Sequence, residues 1–216
     1  MIEMLVVVMI IMLVSTIGIN TYQNQRRQVQ FNDSILKVST LIKTARNYAI
    51  TSRSTYDTCQ PGKETYVPAE GYGIYINRST SAGQARFVLF ANRQAANDLE
   101  KNQYDETADP CFSDRIEEEF QLNNMAVLND LLTSISPLAV TLDSNTHADE
   151  NEVVILFKTT LAETTIAAND HPPTADLLTR PVDLYLQFQR PTASASAPST
   201  YIHINRLAGF PEIDIQ

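Results

Sequence analysis

The sequence predicts an α+β chain in which one long N-terminal helix spans a membrane with its first half and packs its second half on an antiparallel β-sheet head. Three observations predict it. An apolar run opens the chain, a stripe of apolar residues at helical spacing follows, and from Gly71 onward short apolar or alternating segments are separated by turn residues. At 216 residues the chain has room for one globular domain with an appendage. Its 44% hydrophobic and 19% charged residues exclude collagen-like and wholly disordered classes. Charge divides the chain near Thr55: 6 Lys/Arg and 2 Asp/Glu precede the division and 10 and 23 follow it, so +4 and −13 make up the net −9. The division gives two parts, a helix over 1–55 and a head over 56–216.

The apolar run is Met4, Leu5, Val6, Val7, Val8, Met9, Ile10, Ile11, Met12, Leu13 and Val14, and low polarity continues to Ile19. These residues make about 24 Å of helix, slightly short of a hydrocarbon core of about 30 Å, a gap that local thinning or snorkelling closes. Nothing basic precedes the run, as it would in a signal peptide, and a run apolar on every face fits a bilayer better than a soluble core. Glu3 stands apart, because a carboxylate at the edge of hydrocarbon is costly without a cationic partner.

Beyond Asn20 to Gln30, Phe31, Ile35, Val38, Ile42, Ala45 and Ala49 recur at intervals of 4, 3, 4, 3 and 4, with polar residues on the other faces. That spacing predicts one continuous helix ending near Ser52 to Thr55, whose stripe buries against the sheet. Strands are predicted over Gly71–Asn77, Ala85–Ala91, Glu117–Leu122, Pro137–Leu142, Val153–Lys158, Val182–Arg190 and Tyr201–Leu207. In the sixth, Val182, Leu184, Leu186 and Phe188 alternate with polar residues, the mark of a sheet with one buried side. Pro191 to Thr200 reads as a low-complexity loop between strands.

The opening Ile2, Glu3, Met4, Leu5, Val6, Val7, Val8 resembles the start of the type IV pilins and type II secretion pseudopilins, whose mature chains begin F-T-L-I-E-L. The head, through ARNYAITSR, GYGIYI and YIHINRLAGFPEI, is most similar to the H-type minor pseudopilins. The resemblance implies that Glu3 is the assembly residue, meeting the N-terminal amine of a neighbouring subunit, and that Met4 to Val14 anchor the chain and form the fibre core. Its basic leader and first two mature residues would lie upstream of Met1, which implies processing and methylation by a prepilin peptidase. Other implied partners are further pilin or pseudopilin subunits and an inner-membrane assembly platform. Arg26 and Arg27 alone would hold the head in the cytoplasm by the positive-inside rule. The family's basic leader opposes them, and the resemblance places the head outside, in a single-pass cytoplasmic-membrane protein that enters a periplasmic or surface fibre. No proline precedes Pro61, so the helix is expected to be straighter than in many major pilins. The alternative is a solitary membrane-anchored binding protein that does not polymerise.

In a head outside the cytoplasm, the only two cysteines, Cys59 and Cys111, form an expected disulfide closing a loop of about 50 residues. No metal site or cofactor is expected: neither cysteine has a second ligand nearby, and Asp143 to Asp149 lacks the glycine and closing glutamate of a calcium loop. His147, His171 and His203 stand in no catalytic motif, so no enzyme is expected. A head of −13 lacks the electrostatic footprint for nucleic acid. Glu117, Glu118 and Glu119 read either as a docking patch for a basic partner or as a solvated acidic face.

Overall fold

The computed structural model describes residues 2–57, 65–78, 84–92, 104, 114–122, 126–132, 152–159, 164–168, 183–191, 199–205 and 211–215. Within these lie one helix, α1 (Ile2–Ile50), and the strands β1 (Ser54–Asp57), β2 (Thr65–Pro68), β3 (Gly71–Asn77), β4 (Arg86–Asn92), β5 (Arg115–Gln121) and β6 (Val127–Leu132). They continue as β7 (Glu152–Lys158), β8 (Thr164–Ala168), β9 (Leu184–Gln189), β10 (Thr200–Ile204) and β11 (Pro211–Ile215). The architecture is α+β, one long N-terminal helix packed on antiparallel sheets.

α1 is continuous over 49 residues, about 74 Å at 1.5 Å per residue. Its two halves have different surroundings. Every residue from Glu3 to Val29 is exposed, whereas Phe31, Ile35, Val38, Ile42, Ala45 and Ala49 are buried. The helix stops at Ile50, short of the expected Ser52 to Thr55, because Ser52 adopts a left-handed φ of 46°. The Ser52 N–H then donates to the Ala49 carbonyl and the Arg53 N–H to the Tyr48 carbonyl, both at 3.1 Å. This pair of bonds is a Schellman cap, which satisfies carbonyls that the helix end would otherwise leave bare.

The strands divide into two larger sheets and a hairpin rather than one sheet. One sheet has the order β5-β4-β3-β7-β8, the second β11-β10-β9-β6, and β1 pairs with β2; every pairing is antiparallel. Register aligns Tyr72, Ile74 and Ile76 of β3 with Ala91, Leu89 and Phe87 of β4 and with Phe157, Ile155 and Val153 of β7. Period-two pleating puts all nine on one face. They share a single core with the helix stripe and with Leu184, Leu186, Phe188, Ile202 and Ile204 of the second sheet.

β9 and β10 alternate buried and half-buried residues, so this sheet has one buried side. β3, β4 and β7 instead are buried on both faces. Their outer face carries Tyr75, Val88, Phe90, Val154 and Leu156, and Tyr104 closes over it, its ring stacked on Tyr75 at 4.6 Å and tilted against Phe90 at 5.0 Å. β1, β2, β6, β8 and β11 were not among the predicted strands, while the predicted strand Pro137–Leu142 lies outside the described residues.

Candidate membrane anchor and assembly face

The first half of α1 is bare on all sides. Met4, Leu5, Val6, Val7, Val8, Ile10, Ile11, Leu13 and Val14 are each about half exposed or more, the range running from 48% at Val8 to 75% at Met4. A core helix of a soluble protein would be covered, so these residues contribute nothing to the packing of the head. The helix is long and apolar enough to cross a membrane. Its hydroxyls suit a medium that offers no water: Thr16 donates to the Met12 carbonyl at 2.8 Å and Thr21 to the Ile17 carbonyl at 3.0 Å, each within its own helix. Glu3 is exposed in the first helical turn, where the unpaired backbone N–H groups favour an anion.

The second half of α1 is locked to the head at its C-terminal end. The Tyr72 hydroxyl donates to the Arg53 carbonyl at 2.9 Å, and the Tyr72 ring meets Tyr48 edge-on at 5.4 Å. Burial, and then the nearby Glu117 carboxylate, push the Tyr72 hydroxyl pKa above its ordinary value. Glu117 gathers three groups: Arg53 at 4.0 Å, Arg115 at 3.5 Å and the Thr55 hydroxyl at 3.2 Å. Lys37 lies over the Phe120 ring at 4.5 Å. Two members of the acidic run are therefore engaged within the chain, since Glu119 also pairs with Arg86 at 2.9 Å, and only Glu118 is left as an exposed carboxylate without an ion pair among the described residues. A docking patch of three acids is not what these residues form. The helix-end role of Glu117 carries no local signal, because Arg53 is distant in sequence.

One cluster was missed in the sequence. The His203 ring stacks on Tyr185 at 4.4 Å with an interplanar angle of 5°, its Nε2 is 3.2 Å from Asp183 Oδ2, and its Nδ1 is 3.9 Å from Glu212 Oε2. The two carboxylates face opposite ring nitrogens, so they do not converge on one ion. Among the described residues no group of three or more His, Cys, Asp or Glu is arranged to hold a metal. On the same sheet, Gln187 donates to Tyr201 and Ser199, and Gln189 donates to Ser199. Cys59, Cys111, His147, His171 and Asp143 to Asp149 lie outside the described residues.

No family model matches the chain, and neither does any curated protein or solved structure.

Proposed function

We propose that the chain is a pilin-like structural subunit, held in a membrane by the first half of α1 and drawn into a type IV pilus or type II secretion pseudopilus as a minor subunit. The observation that carries this reading is the division of one unbroken helix into an apolar half exposed on all sides and a half that forms the core of a β-rich head. Such a chain leaves a bilayer only if other apolar helices replace the lipid, which is what a fibre core of packed helices supplies. In that core the Glu3 carboxylate compensates a neighbour's terminal amine and fixes the axial register, because an unpaired charge there is costly. The acidic heads then line the outside. Prepilin processing, the assembly platform and a head outside the cytoplasm belong to this reading through the resemblance of Ile2 to Val8.

The test is Glu3→Ala in the native host: incorporation into fibres falls sharply while membrane insertion is unchanged. Wild-type fibre yield would sink the assembly role. Mass spectrometry of the mature N-terminus, expressed with its natural upstream DNA, is expected to find a methylated residue two positions before Met1. An uncut leader would leave a solitary membrane-tethered head instead.

A further inference from the structure

Phe31 is the first buried residue of α1, and the rim of the head that begins there is cationic. Arg190, which follows the last residue of β9, is half-buried with its guanidinium over the Phe31 ring, 5.9 Å from the centroid. Arg27 precedes Phe31 by four residues, so it lies on the same helix face one turn, about 6 Å, nearer the anchor. Arg26 stands on the adjoining face, and both helix arginines are exposed. None of the three forms an ion pair among the described residues. From Met4 to Asn32 the helix carries no acid. On the four-stranded sheet the acids among the described side chains, Asp183 and Glu212, flank His203 at the other end, Asp183 about 23 Å along β9 from Arg190. Cations gathered at one rim without a carboxylate repel one another, and an anion between them removes that cost.

Depth selects the anion. With Met4 to Ile19 in hydrocarbon, the headgroup layer on the head's side occupies about the next 5–8 Å, or about four or five residues of helix from Asn20. Tyr22, 66% exposed, then sits at headgroup level, where an amphipathic ring is favoured. Arg26 and Arg27 stand just above, and their long side chains lean back along the helix toward the phosphates. Lipid phosphate is therefore present at this rim wherever the chain is anchored. A guanidinium offers two parallel N–H donors to phosphate oxygens, so one phosphate can be shared between arginines. A zwitterionic headgroup brings its own ammonium, which cancels much of that attraction, whereas an anionic one does not.

We infer that Arg26, Arg27 and Arg190 bind the phosphate of anionic phospholipid in the leaflet on the head's side, which seats the rim of the head on the membrane surface. The inference rests on the membrane-anchor reading and gives the anchored head a fixed stance, because two of the cations come from the helix and one from the sheet. The test is native mass spectrometry of the full-length chain released from detergent micelles that contain equal amounts of phosphatidylglycerol and phosphatidylcholine. Each arginine close to an anionic lipid surface is worth about fivefold in binding, so three give a preference for phosphatidylglycerol of about a hundredfold. Arg190→Gln and Arg27→Gln are each expected to lower it about fivefold, and together about 25-fold. Arg27 is exposed, so its variant leaves the packing of the head intact, and Arg190→Lys keeps the charge over Phe31 and with it most of the preference. Equal retention of the two lipids would overturn the proposal, as would a preference that Arg27→Gln leaves intact. A preference unchanged by Arg190→Gln overturns it too, because the helix arginines would then act without the head. Excess inorganic phosphate at matched ionic strength is expected to leave the lipid bound; full displacement would make this a site for free phosphate, and chains that bind one another in place of lipid would make it a protein contact. Failure to insert into vesicles of either lipid sinks the anchor reading as well, whereas insertion without lipid preference sinks this inference alone.

Discussion

Gly73 sits in β3 between β4 and β7 of the five-stranded sheet, where the flanking strands leave no room for a methyl group. A Cβ there would overlap the Phe90 ring, with Cε1 at 2.7 Å, and would press on the Ile155 carbonyl at 3.0 Å. Phe90 is fully buried and held by Tyr104, so it has nowhere to swing. Gly73→Ala is expected to cost about 1–3 kcal/mol of stability, read as a lower urea midpoint at unchanged slope. The same substitution at Gly18, which has open space around it, is tolerated. On the same outer face Tyr75 is buried and hydrogen-bonded with Asn77 and Glu152, and burial first, then Glu152, hold its hydroxyl pKa well above the ordinary 10.0. Tyr72 is raised for related reasons. Both hydroxyls keep their protons to higher pH in the folded chain than in the unfolded one. The stability they contribute is therefore fully present below pH 10.0 and is lost as pH rises through and beyond that value. In a spectrophotometric titration, at least two of the nine tyrosines should ionise late and together with unfolding; nine ordinary titrations would remove the argument.

At the scale of the element, the end of α1 is set by a residue poorly suited to its conformation. Ser52 holds φ 46° where a cap of this kind usually has glycine, and a Cβ in the left-handed region costs about 1–2 kcal/mol. Ser52→Gly is expected to raise stability by about 1 kcal/mol, a rise in thermal midpoint of a few degrees, and Ser52→Val to lower it. The missing glycine also explains why the helix end was read too late: with no glycine after Ile50, the apolar spacing had nothing to stop it. The stripe from Phe31 to Ala49 was legible because a helix repeats its buried face within a few residues. Central strands were legible for a related reason, since GYGIYIN, RFVLFA and VVILFK are dense in β-branched and aromatic residues. Their burial on two faces was not, because the second cover comes from Tyr104, remote in sequence. β6 escaped because a register shift between Leu128 and Asp130 breaks its alternation, and β11 because it opens on Pro211, which an edge strand tolerates. Of the candidate site, the bare anchor was readable as composition. The locking of Glu117 to Arg53 and the stacking of His203 on Tyr185 depend on folding and left no trace in spacing.

For the molecule as a whole, folding and anchoring are separable along one helix. Residues Glu3 to Val29 touch nothing that stabilises the head, and burial begins at Phe31. Whatever apolar environment covers the first half of α1 therefore requires no change in the packing of the head. The prediction is a truncation series. A chain starting at Asn20 is expected to fold as a soluble domain, and one starting at Gln28 to unfold at nearly the same temperature and urea concentration. A chain starting at Leu36 loses the buried side chains of Phe31 and Ile35, each worth about 1.5–3 kcal/mol. Against a total stability of about 5–15 kcal/mol, that loss takes most of a marginal domain's reserve, so stability should fall abruptly between the second and third chains. A gradual decline beginning with removal of residues 1–19 would mean that the apolar half packs on the head in solution, and the division of labour along α1 would be wrong.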